Sequence, residues 1–145
     1  MKNIWYWVGG AILLLLILFF IFYQFGKSKG KALGSVNNIT PPVGSKFQLS
    51  NADGSISAAI TSLASQLYND MNGINWFGFH NNALWLQVSQ LTDGDLLNVY
   101  NSFNQQYQGN AGYSLIQWIQ GDTFNADSTD QATTVLTRLQ GFGAK

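Results

Sequence analysis

The chain has 145 residues, enough for one small domain and little more. It has no cysteine, which excludes disulfides, thiol catalysis and thiolate metal sites. Charged residues make up only 10% of it, and the zero formal net charge hides a split. Lys2, Lys27, Lys29, Lys31 and Lys46 precede Phe47, whereas every acidic residue, all of them Asp, follows it beside Arg138 and Lys145.

The run from Ile4 to Phe25 contains no charged side chain. About 22 residues at 1.5 Å each reach roughly 33 Å, enough to cross a hydrocarbon core of about 30 Å as a helix. Trp5 and Trp7 flank Tyr6 at one end and Tyr23 lies near the other, with Leu14, Leu16 and Phe20 between. Aromatics at both ends match the two interfacial belts of a membrane. The apolar core is too long for a cleaved signal peptide, and Lys27, Lys29 and Lys31 stand where such a peptide avoids charge. A single transmembrane helix over residues 1–25 is expected. The lysines bias it toward an N-out, C-in orientation in a bacterial inner membrane or a virion's internal membrane, and they suit anionic lipid headgroups.

Residues 26–54 keep no period of 3.6 or 2 and are rich in Gly, Ser, Asn and Pro. Pro41 and Pro42 break any helix there. The segment reads either as a tether that holds the domain away from the bilayer or as a loop packed on the domain.

From Ser55 to Lys145 the pattern is helical throughout. Ile56, Ile60, Leu63, Leu67 and Met71 form one apolar stripe, with Asp53 or Ser55 as cap and Gly73 as terminator. Leu84, Val88 and Leu91 mark a second helix. A third begins at Thr92 or Asp93, carries Asp95 in its first turn, and buries Leu96, Tyr100, Phe103 and Tyr107. A short fourth helix occupies SLIQWIQGD, and a fifth turns Ala132, Val135, Leu139 and Phe142 inward. Asp122, Asp127 and Asp130 read as an acidic cap for that last helix, since their spacing does not match an EF-hand. The expected fold class is therefore all-α: a compact bundle of about five short helices behind the anchor and linker.

Three segments in this order carry a resemblance. LYNDMNG at Leu67–Gly73, LTDGDLLNVYNSF at Leu91–Phe103 and SLIQWIQGD at Ser114–Asp122 resemble the marks of an annexin repeat. The likeness covers Ile56 to Gly141 and implies a single divergent repeat of the kind found in some bacterial and phage proteins. The family's loop after the first helix binds calcium through carbonyls, with an acidic side chain some 40 residues on. Here Gly78 matches its second glycine, but Trp76 replaces the first, and Phe79, His80, Asn81 and Asn82 replace its polar and acidic positions. Only Asp122 stands near the acidic partner position. No metal, cofactor or small-molecule substrate is expected.

The stretch NWFGFHNNALWLQ holds the only histidine. A lone His among distant aspartates makes a poor zinc site, and no nucleophile motif accompanies it. Trp76, Phe77, Phe79, His80 and Trp85 read as a candidate partner contact, because aromatics rimmed by amides suit protein interfaces. Filling the end of the bundle is the alternative. Nucleic acid is disfavoured by the acidic domain. The sequence thus points to a non-enzymatic, membrane-anchored adaptor that joins a bilayer to a protein assembly, such as an envelope complex or the capsid of a membrane-containing phage. A calcium-dependent membrane-binding module and a tethered cell-wall hydrolase are the rival readings.

Overall fold

A small polar residue, serine, threonine or asparagine, stands ahead of each apolar stripe where a helix begins. The computed structural model describes residues 38–73, 78–109 and 112–145, all within one unit spanning 32–145. Among the described residues five α-helices follow in order: α1 (Ala58–Met71), α2 (Asn82–Ser89), α3 (Asp93–Phe103), α4 (Leu115–Gly121) and α5 (Ala126–Gly141). α3 runs on as a π-helical segment, Asn104–Gln108. Among the described residues there is no strand, as the helical periodicity requires. The expected membrane span, with Trp5, Trp7, Leu14, Leu16, Phe20 and Tyr23, lies outside the described residues, as do Lys27, Lys29 and Lys31. Among the described residues no helix is long and apolar enough to cross a membrane.

Each helix start has a local cause. Ser57 caps α1 by accepting from the Ile60 amide, so neither Asp53 nor Ser55 is the cap. Asp53 closes a turn just ahead of it, accepting from the amide and hydroxyl of Ser55 at 2.9 and 2.6 Å. Asn81 caps α2 and Thr92 caps α3, each through a side-chain oxygen on an orphan amide. Ser114 and Gln117 form a capping box on α4. Asn125 precedes α5 in an extended conformation, with Asp127 in the first turn facing the positive end of the dipole.

α1 packs on α3, and α2 packs on α5. Ile60, Leu63, Leu67 and Met71 from α1 meet Leu96, Leu97, Tyr100 and Phe103 from α3 in one buried cluster. The cluster continues through Leu84, Trp85 and Val88 to Val135 and Leu139. Each such side chain removed from water stabilises the fold by about 1.5–3 kcal/mol. Tyr68 stacks on Tyr107, with centroids 4.0 Å apart, and Trp118 meets Tyr68 edge-on. α3 is central: every residue from Gly94 to Phe103 is buried.

Arg138 on α5 closes the α2–α3 corner. Its guanidinium donates to the carbonyls of Ser89 and Leu91, both at 2.8 Å, and pairs with Asp93. Those carbonyls sit at the negative end of α2, where a cation is favoured. The described part of the expected linker, from Asn38 to Gly54, lies against α3. Of the two readings for that segment, this part takes the packed one.

Candidate functional site

The histidine stretch enters its site through a glycine. Gly78 has φ of +73°, a left-handed conformation that costs glycine little. A Cβ there would stand 2.6 Å from the Thr123 carbonyl oxygen. The missing side chain lets this loop meet the α4–α5 loop, where the Asn125 amide donates to the Gly78 carbonyl at 2.9 Å. That carbonyl is thus engaged by an N–H.

His80 follows two residues later with its side chain fully enclosed. Nδ1 lies 2.8 Å from Asp70 Oδ2 at the end of α1. A carboxylate only accepts, so Nδ1 is the donor in this contact. Nε2 lies 3.1 Å from the Thr123 carbonyl oxygen and 3.6 Å from Asp122 Oδ2. The ring stacks on Phe124 at 4.3 Å and meets Trp85 edge-on.

Asp70 is the hub of this cluster. Besides His80 it accepts from Trp85 Nε1 and from the Asn81 amide, each at 2.8 Å. One carboxylate therefore holds the His80 ring, the indole of Trp85 and the start of α2. Asp122, the only acid near the family's acidic position, faces the imidazole.

An Asp–His pair is the arrangement that orients a catalytic base. Here the second nitrogen points at a backbone carbonyl inside the protein, so the ring ties three segments together and does not present Nε2 to solvent. Among the described residues no three His, Asp or Glu side chains are disposed to hold a metal ion.

The candidate contact residues separate by exposure. The Trp85 ring is fully buried and that of His80 is enclosed, whereas Phe79 is 64% exposed. Trp76 and Phe77 lie outside the described residues. Of the described candidates, then, Phe79 alone turns its ring outward, and Trp85 and His80 serve packing at the bundle end. Leu86, on the outward face of α2, is 46% exposed. It borders a shallow groove of about 400 Å³ shared with Gln48, Leu49, Ala83, Gln87, Gln90 and Leu91. No charged side chain lines it.

Sequence reasoning did not pair Asp70 with His80. The only signal was an acid near the end of an apolar helix, where dipole electrostatics disfavour a negative charge unless donors compensate it. No family model, no curated protein and no solved structure matches this chain.

Proposed function

We propose that this chain is a single-pass membrane-anchored adaptor whose helical domain attaches a bilayer to a protein assembly. The observation that carries the reading is the uncharged run Ile4–Phe25, bordered by aromatics and followed by Lys27, Lys29 and Lys31. Two features of the domain support a structural role. Its one imidazole is committed to Asp70 and the α4–α5 loop, and its exposed Phe79 is held beside that anchored histidine. A rigidly positioned aromatic loses little freedom on binding, which favours it as an anchor in an interface. The annexin-like order of motifs fits a helical module displayed at a membrane. A capsid shell or an envelope complex is the assembly this reading calls for, with the domain on the cytoplasmic side of the membrane.

The test has two arms on the full chain. Leu14→Arg with Leu16→Arg places two charges at the centre of the span, each opposing insertion by roughly 2.5–3.5 kcal/mol. The double variant is expected to leave the membrane fraction in a flotation assay at high salt, and continued flotation refutes the anchor. Phe79→Ala is expected to weaken cross-linking to the native assembly by about 2 kcal/mol while the thermal melt stays within 0.5 kcal/mol of the parent, roughly the range for surface sites. Undiminished cross-linking removes Phe79 from the contact.

A further inference from the structure

α3 is enclosed on every side, yet one of its faces is polar. Asp95, Asn98 and Asn101 follow at intervals of three and are all buried. Residues so spaced share a face of a helix. The chain from Ile39 to Gly54 covers them. Asn101 grips Ile39 at both ends of its residue: Oδ1 accepts from the Ile39 amide at 2.8 Å, and Nδ2 donates to the Ile39 carbonyl at 2.7 Å. Asp95 accepts from the amides of Gln48, Leu49 and Ser50 at 2.7, 3.1 and 2.9 Å and from the Ser50 hydroxyl at 2.7 Å. Asn98 donates to the Ser50 hydroxyl and the Gly54 carbonyl. The Phe47 ring fits a notch left by Gly54 and Gly94.

We propose that residues 38–56 form a releasable reserve of tether, fastened to α3 at two points that part in sequence. The inference rests on the membrane-anchor reading for its purpose, and on the hydrogen bonds above for its mechanism. The two points lie in series along the chain, and the second joins the Asp95 bonds to the Lys46 carbonyl held by the Thr92 hydroxyl and the Phe47 ring in its notch. A pull from the N-terminal side loads the Ile39–Asn101 pair first and reaches the Asp95 clasp only after that pair has opened. Between them the chain makes a turn, closed by the Ser45 amide on the Pro42 carbonyl, with Val43 fully exposed. No helix lies in this segment, because α1 starts at Ala58. Its apolar attachments are few: the Phe47 ring in its notch, and Ile39, Leu49 and Ile56, which are only partly buried against the core. The segment is held mainly by polar bonds to its own main chain, so it can detach while the buried apolar cluster stays intact. Segments of this kind open at lower free energy than the core they cover. Seven peptide units from Ile39 to Lys46 reach about 24 Å when extended, and the hold moves roughly 13 Å along α3 from Asn101 to Thr92, away from Gln105, so with the load taken at Gln105 opening the first point adds about 35 Å. Opening the second frees the chain as far as the α1 cap and adds a comparable length.

The absence of native cysteine makes the test direct. Handles are attached to Ser35→Cys and Gln105→Cys of the full chain in detergent, and the molecule is stretched in an optical trap. Two extensions of about 35 Å each are expected before the main unfolding event. Asn101→Ala is expected to abolish the first extension and leave the main unfolding force unchanged. Ile39→Pro deletes the amide donor, keeps the carbonyl that Asn101 Nδ2 reaches, leaves α3 untouched and is expected to lower the force of the first extension. Gln48→Pro is expected to lower the force of the second extension. A single all-or-none event in the parent chain overturns the proposal, and so does an Asn101→Ala variant that keeps its first extension. Stretching in detergent needs no bilayer, so a failure here leaves the anchor standing. A failed flotation assay leaves the two-point fastening in place with no anchor to serve.

Discussion

At Gly94 two tendencies of helices oppose each other. Alanine is favoured over glycine inside a helix by about 1 kcal/mol. Yet a Cβ at this position would lie 2.6 Å from the Phe47 ring and 2.8 Å from the Lys46 carbonyl oxygen. The ring can turn, but the backbone oxygen is fixed by the Thr92 hydroxyl that donates to it. Gly94→Ala is therefore expected to destabilise the domain by about 1–3 kcal/mol, the range for overpacking, read as a lowered urea midpoint. Gly141→Ala, where a Cβ meets nothing within 4 Å, is the control and should raise or preserve the midpoint. A raised midpoint for Gly94→Ala would show that Phe47 does not occupy the notch. His80 carries the same lesson in reverse. A lone histidine with no second ligand nearby in sequence reads as replaceable. In the fold its ring is enclosed, donates to Asp70 and stacks on Phe124. His80→Gln is expected to cost about 1–3 kcal/mol in a thermal melt, because Asp70 loses a partner inside an enclosed site. A melt equal to the parent's would mean that the Asp70–His80 bond adds nothing.

Among the elements, α3 was the least legible from its own sequence. Leu96, Tyr100 and Phe103 predict one apolar face, and the remaining Asp95, Asn98 and Asn101 look like the solvated side. They are buried because the chain ahead of α1 supplies the donors and acceptors that water would otherwise supply. The helix starts were easier to read, since caps act within four residues. Even so, Ser57 rather than Asp53 or Ser55 begins α1, because Asp53 is taken up by its own turn. The join between α5 and the α2–α3 corner depends on one side chain. Arg138 uses Nη1 on Ser89 and Nη2 on Leu91 and Asp93, a fork that lysine lacks. Arg138→Lys is expected to recover less than half of the stability lost in Arg138→Ala, measured by chemical denaturation. Full recovery would reduce the interaction to a point charge.

For the molecule as a whole, the helix count and the apolar cluster followed from period and composition, because burial repeats every three or four residues. The ties between segments did not, because their partners are far apart in sequence and leave no local period. His80 bonds Asp70 ten residues away, and Asp95 bonds Gln48 across 47. The Asp95 tie gives the domain a pH dependence whose sign can be worked out. Burial raises the carboxyl, but donation by Ser50, Gln48 and Leu49 outweighs it and holds Asp95 below the ordinary carboxylate value. In the unfolded chain an aspartate titrates near 3.9, roughly its free value. The unfolded state therefore binds a proton before the folded state does, and stability falls as acid is added. The contribution is complete above about pH 5 and is lost progressively as the pH drops through the unfolded and then the folded value. Urea midpoints are expected to stay level from pH 7 to about pH 5 and to decline steadily toward pH 3. Asp95→Asn separates this cause from others. Its carboxamide turns a donor group toward amides that also donate, so the variant is expected to be less stable at pH 7 and to show a shallower decline in acid. A variant whose acid decline matches the parent's would place the pH dependence elsewhere and leave the Asp95 tie without a measurable share in stability.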